Sequence, residues 1–364
     1  MRILLSSLPR PIQCLFVALL NRARDPEPEA YYTNHQDATG TQVTSWGWLP
    51  ELALTSTLGM LSIAYAFANS RNGGTGLRAF LYPGLLLIYT PIAVRLISPA
   101  VSRTERIILL CIAGVCCYLI KVMLSPLYFS SFDEFLHWRT ADDIIRSGHL
   151  FSKNAMLPVS PYYPGLEIVT NALSTLSRLD NFNSGLVVIG VARLLMILTL
   201  FALNERILKS ARMASIATIL YIVNPEFLLF NSLFAYEVLA IPLAAFVLLA
   251  IVSYQPIPLY SPRFKSATPS MILEKTDHGD LLWITLTAWI ALVALALTHH
   301  MTDFFLDGVL ILWAVIYRFL HLTPIHQLNL ARTALLGVLI SVAWIGFNGN
   351  PVVHYISSTF GDTL

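Results

Sequence analysis

The sequence predicts an all-α membrane protein, a polytopic transmembrane helical bundle of about nine spans with one large outer loop that carries amphipathic surface helices. The 364 residues are 56% hydrophobic and only 12% charged, whereas soluble domains carry about 25% charged residues. The mean hydropathy is +0.65, and apolar segments of transmembrane length recur along the whole chain. Both observations exclude a soluble domain with a single anchor. A net charge of +2 without a basic run indicates no nucleic-acid partner.

The N-terminal segment, residues 1–48, is predicted to be cytoplasmic and to lie at the membrane surface. Its apolar start is broken by Pro9, Arg10 and Pro11, and it lacks a small-residue cleavage site, which disfavours a signal peptide. Three spans are then predicted within residues 49–127 and six within residues 185–347. Their predicted bounds are 49–68, 80–98, 107–127, 185–203, 213–230, 238–254, 281–297, 304–320 and 331–347.

The distribution of lysine and arginine predicts the orientation. With the N-terminus inside, the inner segments hold 14 of these residues and the outer segments hold six, as the positive-inside rule requires. The loop at 128–184, the turns at 231–237 and 299–303, and the C-terminal segment 348–364 then all fall outside. We therefore expect a multi-pass protein of the plasma (inner) membrane whose functional face is extracytoplasmic.

The outer loop, residues 128–184, is the longest polar interruption of the chain. It is predicted to contain two amphipathic helices lying on the membrane, at 133–147 and at about 165–177, with Gly148 ending the first. Charges four residues apart are predicted to pair on the first helix, as Arg139–Asp143 and Asp142–Arg146. The predicted apolar faces are Phe135, Trp138, Ala141 and Ile145 on the first helix, and Leu166, Val169, Leu173 and Leu176, pointing inward, on the second.

Asp133 and Glu134 are the candidate catalytic residues, because they form an acidic pair directly after an apolar segment. One interpretation is structural: negative side chains in a first turn complement the helix dipole. The other is that Asp133 faces a cleft as a general base, since one carboxylate suffices to accept a proton from a hydroxyl. Glu134 would take part only if it also reached that cleft.

Ionisable residues within the predicted spans are a second set of candidates, because such groups usually face a partner or a wet cavity. They are Lys121, Arg193, Glu226 and Asp307. For Arg193, a packing network with Glu226 or Asp307 is the simpler explanation.

The histidines at 299 and 300 begin a polar stripe that continues at Asp303 and Asp307, at helical spacing. Adjacent histidines point in different directions and no clear third ligand follows, which makes a metal site improbable. Donation to a phosphate suits the pair better. Glu237 lies at another outer turn, where it either caps a helix or lines a sugar site.

Several of these features together resemble the GT-C fold of glycosyltransferases, and especially the protein O-mannosyltransferases and lipid A aminoarabinose transferases. The resemblance covers residues 128–195 and extends loosely to 237 and 300. Its matching pieces are Asp133-Glu134, then Ala141, Ile145 and Ser147-Gly148, then Tyr162-Tyr163-Pro164-Gly165-Leu166, then Ala192-Arg193-Leu194.

The resemblance implies an inverting transferase that moves a sugar from a polyprenyl-phosphate carrier to a hydroxyl on a glycan, lipid or protein acceptor at the outer face. Asp133 would be the base, and the donor would be a lipid substrate with no further cofactor. The residues then expected to bind the donor phosphate or sugar are Arg139, Lys153, Tyr163, Arg178, Glu237, His299, His300 and Asp303.

Two other functions remain open. A transporter or lipid-carrier flippase would use Arg193, Glu226 and Asp307 as a transmembrane relay, although the sequence shows no internal repeat. The second is an inactive accessory subunit that works with a partner. Two features favour it: Tyr163 stands where several GT-C glycosyltransferases have a phosphate-binding lysine, and the chain stops at Leu364.

Overall fold

The computed structural model describes residues 47–254, 278–319, 324–349, 352, 353 and 357. These residues are helical or lie in turns, and none of them is in a strand. Nearly all of the segments 1–48 and 348–364 lies outside this part of the chain. Two short 3-10 turns occur within these ranges, at Ser160–Tyr162 and Phe230–Ser232. The helices are α1 (Leu49–Arg71), α2 (Leu77–Ile97), α3 (Arg103–Leu124), α4 (Phe132–Ser147), α5 (Gly165–Ser177), α6 (Asn181–Leu208), α7 (Ala211–Ile222), α8 (Pro225–Leu228), α9 (Tyr236–Tyr254), α10 (His278–Ala296), α11 (His300–Phe319) and α12 (Pro324–Asn348).

Seven of the described helices are long and apolar enough to cross a membrane: α1, α2, α3, α6, α9, α11 and α12. Such a set fits a multi-pass membrane protein. The predicted span 213–230 is instead broken, because the chain bends by 71° between α7 and α8. Pro225 starts a new helix there, and the Asn224 side chain caps it by accepting a hydrogen bond from the Glu226 backbone N–H. Counting this pair gives eight candidates. The predicted span 281–297 corresponds to α10, whose described apolar part, Trp283–Ala296, is shorter.

Close contacts between small residues join the first two helices into a hairpin. A Cβ atom placed on Gly59 would lie 2.6 Å from the Gly84 carbonyl oxygen, and one on Gly84 would lie 2.7 Å from the Gly59 carbonyl. Approach of this kind is typical of helices packing within a membrane. The hairpin packs on α3, which in turn packs on α6.

An aromatic cluster fixes the segment 128–184 to these helices. Phe129 stacks on Phe234 with ring centroids 4.9 Å apart. Tyr118 of α3, Leu166 of α5 and Val188 of α6 belong to the same buried cluster. The second helix of the segment, α5, is thereby held against α3, α6 and the start of α9.

The helix α4 turns its polar face toward the protein. Glu134, His137 and Thr140 are buried, while the apolar side chains of Phe135 and Trp138 are exposed. Ile145 is also exposed, and of the predicted apolar face only Ala141 is buried. The predicted ion pairs form, with 2.7 Å between Arg146 Nε and Asp142 Oδ2 and 3.6 Å between Arg139 Nε and Asp143 Oδ2.

The helix α5 shows the inversion only in part, because Leu166 of its predicted inward face is buried and Leu173 packs, half-buried, on the aromatic cluster. Its buried residues are Leu166, Glu167, Thr170 and Asn171. The prediction that Val169 and Leu176 point inward is wrong, because their side chains are 45% and 85% exposed. In a bilayer an apolar stripe can be solvated by lipid as well as by a core, so hydrophobic periodicity does not say which face packs on the protein.

Candidate active site

The two residues of the acidic pair at the start of α4 have different surroundings. Glu134 is 1% exposed. Its carboxylate accepts hydrogen bonds from Lys121 Nζ at 3.0 and 3.1 Å and from the backbone N–H groups of Ser130, Ser131 and Phe234 at 2.9 to 3.0 Å. Both oxygens are therefore occupied, and the group ties together α3, the first turn of α4 and the entry to α9.

Asp133 is exposed in the first turn of α4. Its carboxylate makes no hydrogen bond or ion pair with a residue that the structure describes. It interacts electrostatically with Glu237, at the start of α9. His137 follows it by four residues, so both side chains lie on the same face of the helix. The carboxylate is thus free to meet a ligand at the edge of a buried polar region.

That region centres on a pair formed across α4 and α5. His137 Nδ1 lies 2.9 Å from Glu167 Oε1, and their side chains are 3% and 0% exposed. A carboxylate at this distance accepts a hydrogen bond from Nδ1–H, which fixes the orientation of the ring. Glu167 Oε2 is buried and has no hydrogen-bond partner among the described residues.

Aromatic rings connect this pair to the start of α11. The Tyr236 ring lies 4.2 Å from that of His137 and 4.3 Å from that of His299, measured between centroids. His300 continues the contact, with its ring 5.1 Å from that of His299. We call His137, Glu167, Tyr236, Glu237, His299 and His300 the histidine cluster.

His299 is neutral at physiological pH. It lies in the connection between α10 and α11, where burial, with smaller effects from His300 and His137, lowers its pKa to about 3. Its Nδ1 lies 2.7 Å from Thr302 Oγ1. Its Nε2 lies 3.6 Å from Glu237 Oε1, which is too long for a hydrogen bond and, with a neutral ring, is not an ion pair. Since Nδ1 is engaged with Thr302, the neutral imidazole has Nε2 left for a ligand, as a donor or as an acceptor according to the tautomer.

The Tyr-Pro-Gly element places Tyr163 against this cluster. Tyr163 is 1% exposed, and its ring centroid lies 4.9 Å from that of His300. Burial raises the pKa of its phenol, which stays protonated. The backbone N–H of Gly165 donates to the Leu297 carbonyl at 3.0 Å, and a Cβ there would lie 2.9 Å from Thr298 Cα. Only glycine allows this approach.

The predicted donor-binding residues divide into two groups. Tyr163, Glu237, His299, His300 and Asp303 are brought together around the start of α11. The three predicted cations, in contrast, are exposed, and no contact with a described residue joins them to the histidine cluster. They are Arg139, Lys153 and Arg178.

The suggested pairing of Arg193 with Glu226 or Asp307 is wrong. Arg193 Nη1 donates to the Phe227 carbonyl and to Ser232 Oγ, both at 2.6 Å. Its guanidinium lies 4.0 Å from the centre of the Phe227 ring. The break between α7 and α8 supplies these partners, because it turns a carbonyl toward α6, while Glu226 is exposed.

His137 and Glu167 belong to the candidate site although no sequence pattern marked them as candidates. The one sequence feature that could have indicated His137 is its position one helical turn after Asp133. Nothing in the sequence indicated that it meets a residue 30 positions away. Within the described ranges, no group of three or more His, Cys, Asp or Glu residues is arranged to hold a metal ion.

Comparison with known proteins gives no relative for this chain. No protein-family model matches it, and neither a curated protein nor a solved structure does.

Proposed function

We propose that the protein is a membrane glycosyltransferase of the GT-C type that moves a sugar from a polyprenyl-phosphate carrier to an acceptor hydroxyl. Asp133 is the base in this proposal. The observation that carries it is the position of Asp133, an exposed carboxylate without a partner among the described residues, on the same helix face as the buried His137. A carboxylate held by a cation would be a weaker proton acceptor, and Glu134 is held in that way by Lys121.

In the proposed reaction, the acceptor oxygen attacks the anomeric carbon while the bond from that carbon to the phosphate oxygen breaks. The hydroxyl proton passes to Asp133, and the lipid phosphate leaves with the bond electrons. One displacement inverts the anomeric centre, whereas retention would need a second carboxylate as a nucleophile. Glu134 is not suited to that step because its oxygens are already occupied.

The donor phosphate is placed at the histidine cluster in this proposal. N–H groups of His299 and His300 and the Tyr163 hydroxyl are suitable donors to a leaving phosphate. Exposed apolar residues of α4 and α5, such as Phe135 and Leu176, support a lipid substrate, because they would lie in the membrane surface where the carrier lies. The proposal keeps the orientation predicted from the Lys and Arg distribution, with the N-terminus in the cytoplasm and the histidine cluster on the outer face of the plasma membrane.

The proposal is tested with Asp133→Asn. Release of polyprenyl phosphate would be measured in liposomes that contain polyprenyl-phosphate mannose, glucose or aminoarabinose, with a soluble glycoside as the acceptor. We expect the variant to lose about 10²- to 10⁴-fold in rate, the usual contribution of a general base. Its fold should be unchanged, because Asn is isosteric and Asp133 makes no structural contact among the described residues.

The matched control is Asp142→Asn, which removes a carboxylate from the same helix at a site paired with Arg146. It should keep the wild-type rate. Equal rates for Asp133→Asn and wild type would remove Asp133 as the base. If the wild-type protein also released no polyprenyl phosphate, an accessory subunit would become the better explanation.

A transporter or lipid-carrier flippase is the second candidate. Two observations favour it: the break between α7 and α8, and two buried carboxyl groups in α11, Asp303 and Asp307. Movement of fluorescent polyprenyl phosphate between leaflets, without loss of its sugar, would support it over the transferase.

A further inference from the structure

Two carboxyl groups are buried side by side in α11, and no cation of the described residues neutralises them. The side chains of Asp303 and Asp307 are 2% and 6% exposed. No contact with a described Lys or Arg reaches either group. Both lie within one of the seven candidate membrane spans, where an ionised carboxylate without a partner is strongly unfavourable.

The hydrogen bonds of Ser341, on α12, set the protonation of this pair. Ser341 Oγ lies 2.7 Å from Asp303 Oδ2 and 2.7 Å from Asp307 Oδ2. It also lies 3.1 Å from the Gly337 carbonyl oxygen. All three are distances at which a hydrogen atom joins the two oxygens.

A serine hydroxyl has one hydrogen and can donate it once. The Gly337 carbonyl has no hydrogen to give. If Ser341 donates to one carboxyl group, the other must carry a hydrogen and donate it to Ser341. If Ser341 donates to Gly337, both carboxyl groups must be protonated. A three-centre bond that shared the one Ser341 hydrogen would leave two charged carboxylates facing a single donor in an apolar site, which is costly. Whenever each 2.7 Å contact has its own hydrogen, at least one of the two carboxyl groups holds a proton.

A second observation supports the same conclusion. Asp307 Oδ1 is buried and has no hydrogen-bond partner among the described residues. It lies close above Gly337, where an added Cβ would be only 2.2 Å from it. Burying an oxygen of an ionised carboxylate without a hydrogen-bond partner costs much more free energy than burying an oxygen of a neutral carboxyl group.

We propose that Asp303, Asp307 and Ser341 form a proton-binding site between α11 and α12 that is occupied at neutral pH. The bound proton lets one hydroxyl join both carboxyl groups, so it holds the two helices together. Its loss would leave two negative groups on α11 sharing a single hydroxyl donor, which would weaken the link to α12. Asp303 was predicted among the donor-binding residues, but its Oδ2 is joined to Ser341, and the site does not require the proposed sugar transfer.

The other titratable groups near this site lie on its outer side. His300 precedes Asp303 on α11, and the Tyr163 phenol interacts electrostatically with Asp303. On α9, Glu237 is the charged residue, beside His299. The described side chains of α10 include no charged residue, and on α12 Arg332 is nine residues from Ser341, about 13 Å along a helix.

Infrared spectroscopy of the full chain in lipid nanodiscs tests the site, because the C=O stretch of a protonated carboxyl group is separate from that of a carboxylate and shifts in D2O. At neutral pH we expect a protonated-carboxyl band in wild type that is lost in Asp303→Asn/Asp307→Asn. The control, Asp180→Asn, changes an exposed helix cap that Asn also provides, and should keep the band. A spectrum without difference between wild type and the double variant would overturn the proposal.

A measurement on the wild type alone guards against failure of the double variant to fold. A hydrophobic carbodiimide reacts with protonated carboxyl groups in apolar surroundings, and peptide mass spectrometry locates the adduct. We expect modification at Asp303 or Asp307 that declines as the pH is raised. Absence of the adduct from both residues at neutral pH would contradict the proposal.

Discussion

Replacing Glu134 with Gln separates the structural member of the acidic pair from the proposed catalytic member. The Glu134 carboxylate accepts hydrogen bonds from Lys121 Nζ and from three backbone N–H groups. A glutamine side chain keeps one acceptor oxygen but turns an NH2 group toward donors. It also leaves the Lys121 charge without its partner, and Lys121 is only 8% exposed.

Breaking a buried ion pair from one side costs about 3–5 kcal/mol. We therefore expect Glu134→Gln to lower the free energy of unfolding by roughly that amount. Lys121→Met should cost less, because the carboxylate then keeps its three backbone donors. The surface pair Asp142–Arg146, with side chains 35% and 76% exposed, is the control, and its loss should cost at most about 1 kcal/mol.

Thermal unfolding in lipid nanodiscs, followed by tryptophan fluorescence, measures the three variants side by side. The expected order of midpoints is wild type, Asp142→Asn, Lys121→Met and then Glu134→Gln, with the first two nearly equal. A Glu134→Gln midpoint equal to that of Asp142→Asn would refute the structural assignment of Glu134. It would also reopen the possibility that Glu134 acts in the reaction.

Two further predictions concern the approach of the loop to α11. Gly165→Ala should destabilise the fold by about 1–3 kcal/mol, as overpacking does. The reason is that the added Cβ would lie 2.9 Å from Thr298 Cα. An unfolding midpoint equal to that of wild type in the same assay would contradict this close contact. His299 has a folded pKa of about 3, below its unfolded value of about 6.5, so the unfolded state binds the extra proton. The stability that it contributes is complete above pH 6.5 and is lost as the pH falls toward 3. Unfolding midpoints at several pH values should therefore fall more steeply in wild type than in His299→Asn, and parallel curves would show that His299 is not the group responsible.

The ends of α4 could be read from the sequence, whereas the use of its faces could not. Gly148 ends the helix in the left-handed conformation, with φ 69°, as predicted from its residue type. Asp133 and Glu134 are neighbours in sequence, but successive residues of a helix point about 100° apart. One therefore meets solvent and the other a buried lysine. Which of the two is buried depends on where Lys121 lies on α3, and no pattern within the sequence of α4 contains that information.

The histidine cluster shows the same limit over a longer range. The spacing of His299, His300, Asp303 and Asp307 predicted a stripe on one helix, and all four residues are buried together. Their partners, Tyr236 and Ser341, lie on other helices. Packing between elements decides those contacts, and a single sequence does not specify them.

The backbone hydrogen bond from Gly165 to Leu297 has a consequence for biogenesis. The ribosome completes α4 and α5 long before it makes α10, so Tyr163 has no docking partner while the intervening helices are being inserted. During that interval His137 and Glu167 can meet each other, because both belong to the early segment. Tyr236 joins them with α9, and His299 and His300 arrive last. Assembly of the cluster is thus a late event of synthesis, and a nascent chain halted before α10 would carry the loop without the surface that receives it.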